Sequence, residues 1–189
     1  MEKMAIYRAT LKLIKEGKIS FLTMAEIGYR ARVSASAVEA LFESRERLIT
    51  FVGSYTFEGI NKIIDAAVNA DEPFEQRYFN LCHSLIRHYR SNPDVIPFLD
   101  HFGNFPFNVD DVKQLEIRML TSLNDFFAEY PSTRQTLSPT TITNLFHENM
   151  KIIARSEEPI SENEINILAG MFFNVMDTQF VKVQPREAA

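Results

Sequence analysis

Between Thr23 and Phe42 the sequence lays down two short amphipathic stretches, each opened by a hydroxyl-bearing residue, with only a few residues between them. Thr23-Met24-Ala25-Glu26 reads as a capping box, in which the Thr23 hydroxyl takes an orphan amide of the first turn and Glu26 reaches back. Met24, Ile27, Gly28 and Ala31 then fall at i, i+3, i+4 and i+7, one buried stripe on a short helix. Arg32-Val33-Ser34 breaks the pattern. Ser34 can cap a second helix, whose Val38, Leu41 and Phe42 again share a face. Helices this short do not hold their shape alone, and a tight break leaves them packed on one another as a helix-turn-helix. Gly28 permits close approach of the neighbouring helix, and Val33 plugs the turn. Ala35, Ser36, Glu39 and Ala40 are left outward on the N-terminal half of the second helix, where side chains can reach base edges in a major groove.

The rest of the chain predicts helices almost throughout. Apolar residues do not alternate with period two, and no Asn-Gly or Asp-Gly hairpin turn occurs. A first helix runs from about Met4 to Glu16, with Ile6, Ala9, Leu13 and Ile14 on one face and Gly17 as its C-terminal cap. Ser44 can cap a long helix reaching about Asn69. Further helices follow over about 74–91 and 94–102, and after an aromatic loop, Gly103-Asn104-Phe105-Pro106-Phe107, comes a long helix with Val112, Leu115, Met119, Leu123 and Phe126 on one face, stopping before Pro131. Ser138-Pro139 opens another, and Ser161-x-x-Glu164 is a second capping box opening the last. The expected fold is all-α: a three-helix head over residues 1–50 (motif about 23–42) and a helical-bundle body over 51–185, about nine helices in all.

Charge divides along the same line. The chain carries a net −5, yet residues 1–52 hold nine Lys/Arg against six Asp/Glu, and the remainder holds eleven against nineteen. A basic head on an acidic body suits a nucleic-acid partner for the head. The single cysteine, Cys82, cannot form an internal disulfide, no apolar run approaches a membrane span, and the N-terminus lacks a signal-peptide core. These features predict a cytoplasmic protein with no membrane partner.

The stretch from Thr23 to Leu48, TMAEIGYRARVSASAVEALFESRERL, resembles the TetR family of bacterial transcriptional regulators. Thr23, Ile27, Ala31, Val33, Ser34, Phe42 and Leu48 match its pattern, and Arg45 stands for the usual lysine. The resemblance implies a DNA-binding regulator, by the family's default a repressor released by a small effector. It places Thr23, Arg32, Ser34, Ala35, Ser36, Ala37, Glu39, Ala40 and Arg45 at the DNA. Three positions depart from the pattern. Arg32 stands where the turn glycine belongs, Ser36 where the recognition helix has glycine, and Glu39 where the family has a phosphate-binding aromatic. A carboxylate facing phosphate repels it. Glu39 can instead accept from cytosine N4, pair with an arginine, remain a solvated surface group, or mark a diverged helical sensor that has lost sequence-specific binding.

The resemblance also implies a body that binds an effector and dimerises through its last two helices. A palindromic operator read by paired heads requires the same homodimer. Ile142, Leu145, Phe146, Leu168, Phe172 and Met176 are the interface candidates. The last helix also carries Ile167, Met171 and Phe173 off its main stripe, so two of its faces need cover. With 16 Phe and no Trp, the chain builds a Phe core, an aromatic cavity, or both. A cavity for a small apolar or aromatic effector would draw on Phe79, Cys82, Ile86, Phe98, Phe102 and Phe126, with His83 or His101 as polar anchor. His83 and His88 are five apart and so lie on different helix faces. No metal-ligand spacing, nucleophile elbow, P-loop or dinucleotide fingerprint occurs, which predicts neither cofactor nor metal and no enzymatic activity.

Overall fold

The computed structural model describes residues 2–102, 110–130, 137–156 and 158–177, with side chains described as far as Phe172. The predicted loop at 103–107 lies outside them. Among the described residues the chain forms nine α-helices and one 3₁₀ turn: α1 (Glu2–Lys15), the turn (Ile19–Phe21), α2 (Met24–Ala31), α3 (Ala35–Phe42), α4 (Arg45–Val68), α5 (Phe74–Ser91), α6 (Val95–His101), α7 (Asp110–Ala128), α8 (Pro139–Ala154) and α9 (Glu162–Asp177). The fold is all-α, as the periodicity predicts.

Local chemistry sets the element ends. Gly17 adopts φ +72° just past α1, the left-handed geometry that glycine reaches without strain. The Thr23, Ser34, Ser44 and Ser138 hydroxyls each accept a backbone amide from the first turn of the helix that follows. At α9 both arms of the capping box form: the Ser161 amide donates to Glu164 at 2.8 Å, and the Glu164 amide to the Ser161 hydroxyl at 3.2 Å. At α2 only one arm does. The Thr23 amide turns back to the Phe21 carbonyl at 2.7 Å, and Glu26 instead binds Arg30. The 3₁₀ turn occupies the donor that the box needed.

Helix α4 runs unbroken through residue 50, so a rigid rod joins head and body where a division at 50/51 places a boundary. Head packing on this rod uses Leu48, Ile49 and Val52, all fully buried, and the Tyr7 hydroxyl meets the Thr56 hydroxyl at 3.1 Å. In the body α4 lies closely on α7. A Cβ on Gly53 would sit 2.5 Å from a Val112 methyl, and Asn61 donates to the Leu115 carbonyl at 3.1 Å. Helix α6 is held at both ends. Lys15 of α1 reaches Asp94 at 2.8 Å, while Lys151, nearly buried on α8, reaches Asp100 at 2.9 Å with Arg155 alongside.

Candidate nucleic-acid interface

Helices α2 and α3 meet through a turn with a left-handed non-glycine corner. Arg32 takes φ 59° and ψ 39°, and its amide is accepted by the Gly28 and Tyr29 carbonyls. The turn then folds so tightly that a Cβ on Gly28 would lie 2.9 Å from the Val33 carbonyl oxygen. Gly28 thus permits the close approach that the sequence predicts, and an arginine, Arg32, holds the left-handed corner. For a non-glycine residue that corner costs about 1–2 kcal/mol.

Val38 and Phe42 anchor α3 in the head core, leaving Ser36, Glu39 and Ala40 exposed and Ala35 and Ala37 half-buried beside them. This outward face is the one that the spacing assigns to base contacts. It is small and weakly polar at its start, with Ser34 and Ser36 hydroxyls 3.0 Å apart, and carries one carboxylate, Glu39. Thr23 and Ser34 are exposed at the N-termini of α2 and α3, where backbone amides favour anions.

The head's arginines differ in what holds them. Arg45 is half-buried and donates to the Ile19 carbonyl at 2.8 Å, tying α4 to the 3₁₀ turn. Arg30 is held by Glu16 and Glu26, and this pairing with Arg30, then Lys18, draws the Glu16 carboxyl down to about 2. Arg47 pairs with Glu43 at 2.8 Å. Arg32 is exposed, but it also lines a groove facing the body. Sequence reasoning missed Tyr29 and Phe21, which are 78% and 63% exposed on the head. Their signal was an aromatic outside the apolar stripe.

In the body the proposed pocket residues do not share one setting. Phe98 and Phe102 are buried, each packs edge-on against Phe57, and the two are tilted against one another. Phe126 belongs to a second aromatic cluster with Phe74, Phe127, Phe146 and Tyr78. Cys82 and Ile86 are buried, and burial pushes the Cys82 thiol up to about 12. Phe79 is half-buried against Tyr78. His83 is bound by α9, through Asn166 at 2.7 Å and Glu162, and His101 is exposed. His83 thus braces two helices, and its ring nitrogens are already taken.

Of the interface candidates, Ile142 and Phe146 are 2% and 0% exposed within this chain, because the α8 stripe that carries them faces α5 and α7. They cannot supply a partner surface without unpacking the core. Leu168 and Phe172 are half-buried, Phe172 against Phe146 at 5.9 Å between ring centroids, and the Met176 side chain lies outside the described residues. The apolar side chains that do face outward are Leu145 and Ile152 on α8 and Ile167 and Met171 on α9.

The architecture defines a class, a helix-turn-helix head fused through one long helix to an all-helical body. No protein-family model matches the sequence, and no curated protein matches it. Solved structures do match in three dimensions. The TetR-family regulator PfmR of Thermus thermophilus aligns over 90% of this chain and 96% of its own, at TM-score 0.70 and 13% identity. The ketosteroid transcriptional regulator KstR2 of Mycobacterium tuberculosis aligns over 95% and 96%, at 0.76 and 9%. AibR, solved with isovaleryl coenzyme A and operator DNA, aligns over 94% and 99%, at 0.74 and 14%. The chain has the fold of the TetR-family regulators. None of the described helices is long and apolar enough to cross a membrane.

Proposed function

We propose that this chain is a DNA-binding transcriptional regulator that acts as a homodimer and responds to a small-molecule effector held in its body. The observation that carries this reading is the head. Two capped short helices close around Gly28 and leave a solvent-facing α3 surface with no structural task of its own. A neighbour of the same fold, AibR, was solved with operator DNA and an acyl-CoA, which supports DNA and a small ligand as the two partner classes. The fold neighbours are regulators by their descriptions, and this supports a non-enzymatic role.

Ser36, Ala37 and Ala40 are small enough for close approach to base edges, and Glu39 is suited to accept from a cytosine amine. Positioning on phosphate falls to the first-turn amides of α2 and α3. The exposed Leu145, Ile152, Ile167 and Met171 would form the dimer surface, giving paired heads for half-sites about one helical turn (~34 Å) apart. Repression with effector release is the direction we favour.

A second reading is a diverged helical sensor on the same scaffold. Glu39 on the α3 face and the internal engagement of Arg30, Arg45 and Arg47 favour it. Selection from random duplexes at low salt separates the two. Enrichment of a two-fold symmetric site supports the regulator, and no enrichment above background overturns it.

A further inference from the structure

A groove of 460 Å³ runs beside α1, between the end of α2 and the Ser91–Asp94 turn that joins α5 to α6. Its volume falls within the range of small-molecule sites. It is the seam between head and body, so anything seated there touches both. Ala9, Leu11 and Pro93 give it apolar lining, and Arg8, Lys12, Arg30 and Arg32 surround that lining.

These cations are not equally committed. Arg30 is spent on Glu16 and Glu26. Asp94, the only carboxylate among the described lining residues, is spent on Lys15. Arg8, Lys12 and Arg32 form no ion pair among the described residues, in a chain whose net charge is −5. Arg8 and Lys12 stand one helical turn apart on the same exposed face and repel each other. Arg32 holds a left-handed corner that glycine would take without strain, and its side chain goes to this groove. Two mutually repelling cations and a third, none of them in an ion pair among the described residues, line an apolar cleft and are better satisfied around an anion than without one.

We propose that this groove is a binding site for a small anionic ligand, a phosphate- or carboxylate-bearing molecule with a modest apolar part. The site lies at the head–body seam and uses Arg8, Lys12 and Arg32 as its anion-binding groups. A ligand there fixes the angle of α1 against α6, the contact that Lys15 and Asp94 already make.

The test is calorimetric titration of the full chain, without DNA, at constant ionic strength. Pyrophosphate represents the phosphate class and citrate the carboxylate class. One-to-one binding of either probe is expected, weakened about tenfold by Lys12→Gln and by Arg32→Gly, the loss of one charge-assisted contact. Arg32→Gly relieves the backbone corner, so its melting temperature should rise while its anion affinity falls, which separates lost binding from lost folding. Lys113→Gln, on α7 outside the groove, should bind like the wild type. The inference fails if neither probe binds below about 10 mM, if the two groove variants bind normally, or if Lys113→Gln weakens binding equally. It also fails if Lys12→Gln flattens the salt dependence of DNA binding and leaves the anion titrations unchanged, because the cations then serve DNA phosphate. Failure in the titrations leaves the DNA reading intact, since no duplex enters them.

Discussion

Gly53→Ala should cost far more than a surface methyl. A Cβ there falls 2.5 Å from Val112 Cγ1 and 3.1 Å from Cγ2, about an ångström inside normal carbon contact. Val112 is fully buried on α7 and stiff at χ1, so it cannot swing aside freely. Either the valine leaves its rotamer or α4 moves off α7, and overpacking of this kind costs about 1–3 kcal/mol. For a chain of this size that lowers the melting temperature by about 2–12 °C. Val112→Ala alone should also destabilise, by about 1–3 kcal/mol, through the space it leaves. In the double variant each change fills or vacates what the other needs, so the pair should recover about 1–2 kcal/mol relative to additivity. Urea denaturation of the four proteins measures this. A Gly53→Ala protein as stable as wild type, or an additive cycle, would refute the α4–α7 register on which the linkage of head to body rests.

Three further outcomes follow from the same geometry. Gly28→Ala brings a Cβ to 2.9 Å of the Val33 carbonyl, a backbone atom that cannot rotate away. It should destabilise the head by about 1–3 kcal/mol and reduce DNA affinity, and unchanged urea melts would contradict it. His147 is held neutral, with burial drawing its pKa down to about 4 while its Nε2 meets the Tyr89 hydroxyl at 3.0 Å. The unfolded chain takes up this proton near pH 6.5 and the folded one only near 4, so stability is full above 6.5 and falls as pH drops toward 4, by at most about 3 kcal/mol. His147→Gln should flatten that slope in melts between pH 7 and 4; an unchanged slope places the acid sensitivity elsewhere. Met171→Asp puts a charge on the outward face of α9 and should give a monomer by light scattering at micromolar concentration, whereas a persisting dimer would move the interface away from this face.

The head was legible because its signals are local. Caps at Thr23, Ser34 and Ser44 and anchors at Ile27, Val38 and Phe42 define short helices whatever the rest of the chain does. The second capping box at Ser161 was legible for the same reason. Its counterpart at Thr23 formed only half, because the 3₁₀ turn before it, invisible as a pattern in KISFL, had already taken the Thr23 amide. Tertiary partners were not legible at all. Arg45 looked like a free cation and is turned onto the Ile19 carbonyl. Ile142 and Phe146 announce a buried face on α8, but periodicity does not say whether the neighbour is this chain or another copy. In the same way, the Phe-rich body was readable as aromatic but not as two clusters, one around Phe57 and one around Phe126. His83 gave no hint of α9, 83 residues away at Asn166.

Whether the α3 face reads DNA in symmetric pairs is decided by hydroxyl-radical footprinting of the wild-type protein on its selected duplex. Two protected segments related by a two-fold axis are expected, centred about one helical turn apart, with protection lost in Gly28→Ala and narrowed to one half-site in Met171→Asp. A single asymmetric footprint would contradict the paired heads, and uniform weak protection that vanishes with salt would contradict sequence reading by α3.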